Sequence, residues 1–412
     1  LTRINGAAIA GTFPKANRFT ASSAPPARLK ERERMGLYLI TGGQGFIGNH
    51  LTDELLGAGH EVRIIDSLVE QAHGGRTASG KNGAARTNGH SHAVEIIRAD
   101  IRDRAAIRQA LKGVDGVFHL AAEVGVGQSM YEIERYVGAN DVGTAVLLEE
   151  MTRQTVPRVI VASSMSVYGE GLAFTDEGLR VENAQRSPQA LKRGDFEPRG
   201  PNGERLVRAP TDEGKRVDLA SVYALTKYVQ ERLVMMIAPT YGIEAVALRL
   251  FNVFGPGQTL TNPYTGVLAI FAGRLLAGEP PLVFEDGMQR RDFVHVRDVA
   301  RAFRLAMEAP DAAGEVVNIG SGVSRTVLDV ARALATALGR DDLEPQVLQR
   351  SRAGDIRHCF ADIGKARLVL GFEPQHHLEN ALDDLVAWVE KQKRPRKSAD
   401  AHGELAARGL VL

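Results

Sequence analysis

A glycine-rich turn between a strand and a helix constrains this chain more than any other stretch. Leu37, Tyr38, Leu39 and Ile40 form a short apolar run, T-G-G-Q-G-F-I-G follows at 41–48, and Phe46, Ile47, Leu51, Leu55 and Leu56 then recur at helical spacing. Gly42, Gly45 and Gly48 therefore sit at a strand-to-helix turn. Backbone N–H groups there can approach a dinucleotide pyrophosphate only where no side chain intervenes, and a helix N-terminus favours its negative charge. The alternative is a plain flexible turn, and the strand before and helix after argue against it.

The elements that follow repeat this logic. Residues 61–66 read as a short buried strand ending in Asp66, where a carboxylate can accept hydrogen bonds from both hydroxyls of an adenosine ribose and repel a 2′-phosphate. That favours NAD over NADP. A strand at 94–98 leads to Asp100 and Ile101, a helix is expected at 103–112, and a strand at 116–120 delivers the small residues Ala121 and Ala122. A helix over 132–154 carries Asn140, and the strand at 159–162 runs into Ser163, Ser164, Met165 and Ser166. Strands alternating with helices mean an α/β fold with a doubly wound, Rossmann-type parallel sheet, its ligand at the carboxyl ends of the strands. Gly42, Asp66, Ala121 and Ser164 all fall at such ends.

The expected organisation is a leader at 1–34, a dinucleotide-binding domain at 35–255, a smaller mixed lobe at 256–393 and a flexible tail at 394–412. From Leu1 to Pro26 the leader has sparse arginines and a poor amphipathic pattern, so it reads as disordered, or as an extension upstream of Met35, rather than as a transit peptide. Residues 67–93 read as a long polar loop in which His90 and His92 are solvated rather than metal ligands. Residues 171–217 break the rhythm and read as an insertion over the active site, a lid. The helix at 222–238 carries Tyr223 and Lys227 on one face.

Composition narrows the function classes. With 412 residues, 44% hydrophobic and 25% charged, the chain can bury a sizeable core. A net charge of +1 gives no argument for nucleic acid. Cys359 is the sole cysteine, which excludes intramolecular disulfides and thiolate metal clusters and suits a reducing, cytoplasmic setting. No metal is expected. No apolar run is long enough to cross a bilayer, so no membrane association is expected.

A tyrosine four residues before a lysine, after a strand-end serine, is a proton-transfer set. A nearby ammonium and a cationic nicotinamide both favour the phenolate, lowering its pKa. Tyr223 can then take a hydroxyl proton while a hydride leaves the same carbon for NAD. Ser164 can donate to the developing carbonyl oxygen, and Lys227 can hold the nicotinamide ribose. The competing reading is a surface helix with an incidental tyrosine and lysine.

On T-G-G-Q-G-F-I-G, H-L-A-A at 119–122, S-S-M-S-V-Y-G at 163–169, Y-A-L-T-K at 223–227, R-L-F-N-V-F-G-P-G at 249–257, R-R-D-F-V-H-V-R-D-V-A at 290–300, V-N-I-G-S-G at 317–322 and R-A-G-D at 352–355, the chain resembles an extended short-chain dehydrogenase/reductase acting on nucleotide sugars. The resemblance runs from about Leu37 to Lys391. It implies catalytic roles for Ser164, Tyr223 and Lys227, and cofactor contacts at Gly42, Gly45, Phe46, Ile47, Gly48, Asp66, Asp100, Ile101, Ala121, Ala122, Asn140 and Phe251. It also implies that Ser164, Ser166, Asn252, Arg291 and Arg352 meet a nucleotide-diphosphate sugar, the arginines binding phosphate oxygens through their planar forks.

Relatives that dehydrate nucleotide sugars usually carry an Asp-Glu pair after the active hydroxyl, and decarboxylases usually carry a glutamate where Ser166 stands. This chain has Met165 and Ser166 there, so the simplest chemistry is oxidation and re-reduction at one carbon: 4-epimerisation. Residues 124–131 and the insertion resemble a branch acting on dTDP-L-rhamnose, although the cysteine pairs common in that insertion are absent. The sister dehydratase, decarboxylase and 4-ketoreductase reactions stay open, as does a non-catalytic NAD-sensing protein. The resemblance also implies a homodimer through a four-helix bundle of the helices at 132–154 and 222–238, with Val146, Leu147, Leu148, Leu233, Val234, Met235 and Met236 supplying its apolar faces.

Overall fold

Seven parallel strands form the central sheet: β1 (Leu37–Thr41), β2 (Glu61–Asp66), β3 (Glu95–Arg98), β4 (Gly116–His119), β5 (Arg158–Ser164), β6 (Glu244–Leu250) and β7 (Val316–Ile319). Their spatial order is β7-β6-β5-β4-β1-β2-β3. The chain winds outward from β1 in one direction, then returns to β4 and winds in the other. The crevice between β1 and β4 is thus the switch point where such sheets bind ligands. The computed structural model describes residues 35–73, 94–260, 262, 264, 266–392 and 401–411. The expected leader and the pair His90 and His92 lie outside the described residues.

The strands are apolar on both faces because both faces are covered. Ile40, Ile64, Phe118, Ile160 and Val246 face a core completed by the helices α1 (Phe46–Gly57) and Val296–Glu308. Leu39, Ile65, Val117, Val159 and Ala245 face the opposite core, with α2 (Gly143–Met151) and α3 (Val222–Thr240). A third core gathers around Phe254, Phe271, Phe293, Leu334 and Leu382. Gly36–Leu412 forms one compact unit. Among the described residues, no helix is long and apolar enough to cross a membrane.

Four expectations need correcting. The helix expected over 132–154 is interrupted: Ile133–Tyr136 is α-helical, Val137–Val142 is π-helical, and α2 follows. Residues 171–217 hold the strands Ala173–Phe174, Arg180–Val181 and Val207–Arg208, paired as a small antiparallel sheet. None of these residues lines the large cavity, so the segment expected to lie over the active site forms no part of its wall in this structure. The tail does not simply fray, because Ala401–Ala407 is helical and Val411 pairs with Arg352. Finally, Val146, Leu147, Leu148 and Val234 are buried within this chain and present no outer face.

Candidate active site

At the glycine turn, Gly42 adopts φ +70° and its N–H donates to the Ile65 carbonyl at 2.8 Å. A Cβ there would lie 2.9 Å from the Ala121 backbone, so only glycine lets β1 and β4 close together at this point. Helix α1 starts beside it with Gly45 as N-cap, without a side-chain cap and without an acidic residue in its first turn. Its leading N–H groups are therefore left for an anion. The Asp66 carboxylate accepts from the Gln44 N–H at 3.0 Å and the Leu68 N–H at 2.8 Å. These bonds fix Asp66 at the end of β2, where it lines the cavity. This cradle fits a dinucleotide: glycine contacts and open helix N–H groups for the pyrophosphate, and a carboxylate for the ribose. Asp100 also lines the cavity, and its carboxylate is held below the usual range by the hydrogen-bonded Arg102 guanidinium.

Strand β5 delivers Ser164 to the same cavity. Its hydroxyl accepts from the Ser166 N–H at 3.2 Å and from the Ser166 hydroxyl at 2.8 Å. Helix α3 begins at a serine cap, Ser221, whose side chain accepts from the Ala224 N–H. That start brings Tyr223 and Lys227 round onto the cavity. Burial raises the Tyr223 pKa, and the Ser164 hydroxyl opposes that rise. Burial also lowers Lys227 to about 7, with Glu231 and Asp141 pulling the other way. The Lys227 ammonium donates to Gln230 at 2.7 Å. The sequence expectation of a lowered Tyr223 pKa invoked two cations. In the protein alone, desolvation outweighs what surrounds the phenol.

Asn252, Arg291 and Arg352 form the far end of the cavity. The buried Asn252 Oδ1 has no protein partner, as suits a group awaiting a ligand donor. Arg291 donates to the carbonyls of Arg290 and Arg357 at 3.0 and 2.9 Å. Arg352 pairs with Asp355 at 2.7 Å and lies over the Phe284 ring.

One cavity of about 980 Å³ unites these parts. It is lined by Gly42, Gly45, Phe46, Ile47, Gly48, Asp66, Asp100, Ile101, Ala121, Ala122, Ser164, Ser166, Tyr223, Lys227, Phe251, Asn252, Arg291 and Arg352. Asn140 is the exception. It is fully buried, accepts from the Glu123 N–H at 2.7 Å and donates to Thr226 at 2.9 Å. It braces the segment after β4 against α3 and does not reach the cavity. Sequence reasoning missed His73, Phe284, Leu405 and Leu410, which also line the cavity. His73 stands 3.7 Å from Asp66. Leu405 and Leu410 carried a signal, since they are large apolar residues in a basic, then alanine-rich tail.

A parallel sheet with a glycine cradle at its switch point and a buried serine-tyrosine-lysine set defines a nicotinamide-dependent enzyme acting on a hydroxyl carbon. The family model described as NAD dependent epimerase/dehydratase matches residues 38–192 and 197–320, and the chain belongs to that family. It is similar to a dTDP-L-rhamnose 4-epimerase of Burkholderia thailandensis, 33% identical over 86% of this chain and 95% of that one. It is also similar to the structure of a UDP-N-acetylglucosamine 4-epimerase from Methanobrevibacter ruminantium, with a TM-score of 0.70 and 31% identity over 87% of this chain and all of the other. A third similar structure is a UDP-glucuronic acid 4-epimerase from Bacillus cereus in complex with UDP-glucuronic acid and NAD. Its TM-score is 0.69, at 26% identity over 86% of this chain and 99% of that one.

Proposed function

We infer that this chain is an NAD-dependent nucleotide-sugar 4-epimerase. The observation that carries the reading is the Ser166-to-Ser164 hydroxyl relay beside Tyr223, at the point where a water-eliminating enzyme of the family needs an acid–base pair. Tyr223 takes the proton of the sugar 4-hydroxyl. Ser164 donates to the same oxygen as it becomes a carbonyl. NAD, when bound there, would supply the hydride acceptor and donor for the carbon whose oxygen Tyr223 and Ser164 hold. The cradle of Gly42, Gly45 and Gly48 holds the pyrophosphate, Asp66 the adenosine ribose and Lys227 the nicotinamide ribose. Arg291 and Arg352 grip the sugar-bearing diphosphate, which leaves the sugar free to turn between the two reductions.

The similarity to the Burkholderia enzyme supports dTDP-L-rhamnose as the first substrate to try. A cytoplasmic, homodimeric enzyme belongs to the same proposal. The test is incubation of purified protein with dTDP-L-rhamnose and with UDP- and GDP-sugars, followed by NMR of the products. Inversion at C4 with no added cofactor supports the reading. A 4-keto-6-deoxy product, release of carbon dioxide, or a strict need for NADPH would replace it with dehydratase, decarboxylase or ketoreductase. No turnover with any sugar, while NAD stays bound, would favour a sensing role.

A further inference from the structure

The segment 171–217 is attached by ion pairs and hydrogen bonds to residues 355–358, a stretch that also contacts the arginines assigned to the diphosphate. Arg357 is 1% exposed and its guanidinium pairs with Glu197 at 2.7 Å, Glu285 at 2.8 Å and Asp286 at 2.6 Å. Glu197 comes from the insertion, and it also bonds Arg208 and His358. Arg186, also from the insertion, pairs with Glu170 at 3.0 Å, contacts Glu285 and donates to the Asp355 carbonyl. Glu170 in turn accepts from the Arg357 and His358 N–H groups at 2.9 and 3.0 Å.

The same stretch also receives Arg291, which donates to the Arg357 carbonyl at 2.9 Å and to the Ile356 carbonyl. Arg352 is tied to it through Asp355. Backbone 355–358 is therefore joined both to the insertion's charge cluster and to the two arginines assigned to the diphosphate. Buried ion clusters contribute little net stability but resist displacement, because breaking one partner leaves an uncompensated charge. Such a cluster suits a part that must hold a geometry.

We propose that residues 171–217 are a positioning clamp: through Arg186 and Glu197 they fix backbone 355–358, and so set Arg291 and Arg352 for the nucleotide diphosphate. The proposal rests on the diphosphate reading of those arginines. Arg186 and Glu197 are positioning residues, since neither lines the cavity.

The test measures UDP and dTDP affinity by calorimetry, together with kcat, KM and retained NAD, in full-length Glu197→Gln, Arg186→Lys and Arg291→Lys. Glu197→Gln keeps shape and removes one charge at the edge of the cluster. Arg186→Lys keeps charge and loses the planar fork. Each should weaken diphosphate binding and raise KM by about 5- to 10-fold, with kcat at saturating sugar and bound NAD nearly unchanged, the pattern for loss of uniform binding. Should Glu197→Gln fail to fold, Arg186→Lys reads the same split. If Arg291→Lys weakens binding and the insertion variants do not, the clamp is wrong. If Arg291→Lys leaves binding unchanged, the diphosphate reading itself fails. A parallel fall of kcat, affinity and NAD retention would reduce the cluster to general structural support and overturn the clamp.

Discussion

Ser164 receives two hydrogen bonds from Ser166, from its N–H at 3.2 Å and its hydroxyl at 2.8 Å. Both lone pairs of the Ser164 oxygen are thereby used, and its own proton is free to be given away. Tyr223 stands beside it. Donation by Ser164 and acceptance by Tyr223 can converge on one substrate oxygen.

Tyr223→Phe should therefore lower kcat by about 100- to 10,000-fold while NAD stays bound, because it removes the proton acceptor and little else. Ser164→Ala should cost about 100-fold, the scale for loss of one hydrogen-bond donor to a developing oxyanion. Ser166→Ala should cost less, since it frees a lone pair without removing the donor. Steady-state kinetics with the preferred sugar check the order. A Ser166→Ala effect equal to that of Ser164→Ala would mean that Ser166 contacts the sugar itself.

His119 supplies a pH dependence with a definite sign. It is fully buried between Thr41 and Thr144, and Gln230 lies 3.1 Å from its Nε2. The Thr144 hydroxyl proton is committed to the Asn140 carbonyl. The ring's Nε2 proton therefore goes to the Thr144 oxygen, and its Nδ1 accepts from the Thr41 hydroxyl. Burial, with Lys227 nearby, pushes the His119 pKa down to about 3. Unfolded histidine titrates near pH 6.5, so between those values the unfolded chain binds the extra proton. This contribution is fully present above the unfolded value and is lost as pH falls towards 3. At pH 4.5 the loss should reach about 2 to 3 kcal/mol. Urea midpoints at pH 7 and 4.5 should draw closer in His119→Asn than in the parent, whatever the variant costs at pH 7. Equal pH slopes in the two would show that this ring does not carry the effect.

What the sequence made legible follows from the range of the interactions. The glycine cradle, Asp66, Ser164, Tyr223 and Lys227 are placed by local rules: strand period, helix spacing and the need for a bare backbone at the turn. Asn140 was misplaced because the π-helical stretch Val137–Val142 changes the face a residue presents, and no 3.6-residue pattern reports that. The insertion was read as a structureless lid because its strands are two residues long and its holding forces are ion pairs. In sequence, Arg186, Glu197 and Arg357 look like solvated surface. Only the fold shows that Arg357 is buried and that the other two reach it or its neighbours.

Of the residues first named for the homodimer expected from sequence, Met236 keeps an exposed face, and others join it. On the helical run at 133–142 and on α3, Ile133 is 52% exposed, Val142 49%, Leu225 45% and Met236 54%. These apolar side chains lie on the two elements the family resemblance assigns to a subunit bundle. Light scattering at micromolar concentration should give twice the chain mass. The double variant Val142→Glu, Met236→Glu should shift the protein towards monomer, since each introduced carboxylate would have to be desolvated in an apolar interface. A parent that is monomeric at that concentration would rule the assembly out.

The tail, unlike the insertion, contributes residues to the cavity wall. Leu405 is buried against Gly127, and Leu410 lines the cavity beside Arg352 and Ala353. The Ala353 N–H donates to the Leu410 carbonyl at 2.9 Å, Arg408 lies over the Tyr131 ring at 4.0 Å, and the Tyr264 hydroxyl donates to Glu404. These contacts set an apolar wall on a cavity in which a keto intermediate must turn without escaping. Burying a leucine is worth about 1.5 to 3 kcal/mol, so the buried Leu405 with the half-buried Leu410 can hold a closed state yet still release product. A chain ending at Gln392 should keep its fold and its bound NAD. It should show a KM for the nucleotide sugar raised by about 10-fold and should release keto-sugar and reduced cofactor during turnover, as expected where a cover excludes solvent. The readouts are absorbance at the reduced-nicotinamide band and NMR of the released sugar. A truncated chain with unchanged KM and no leakage would show that the tail is not a wall of the site.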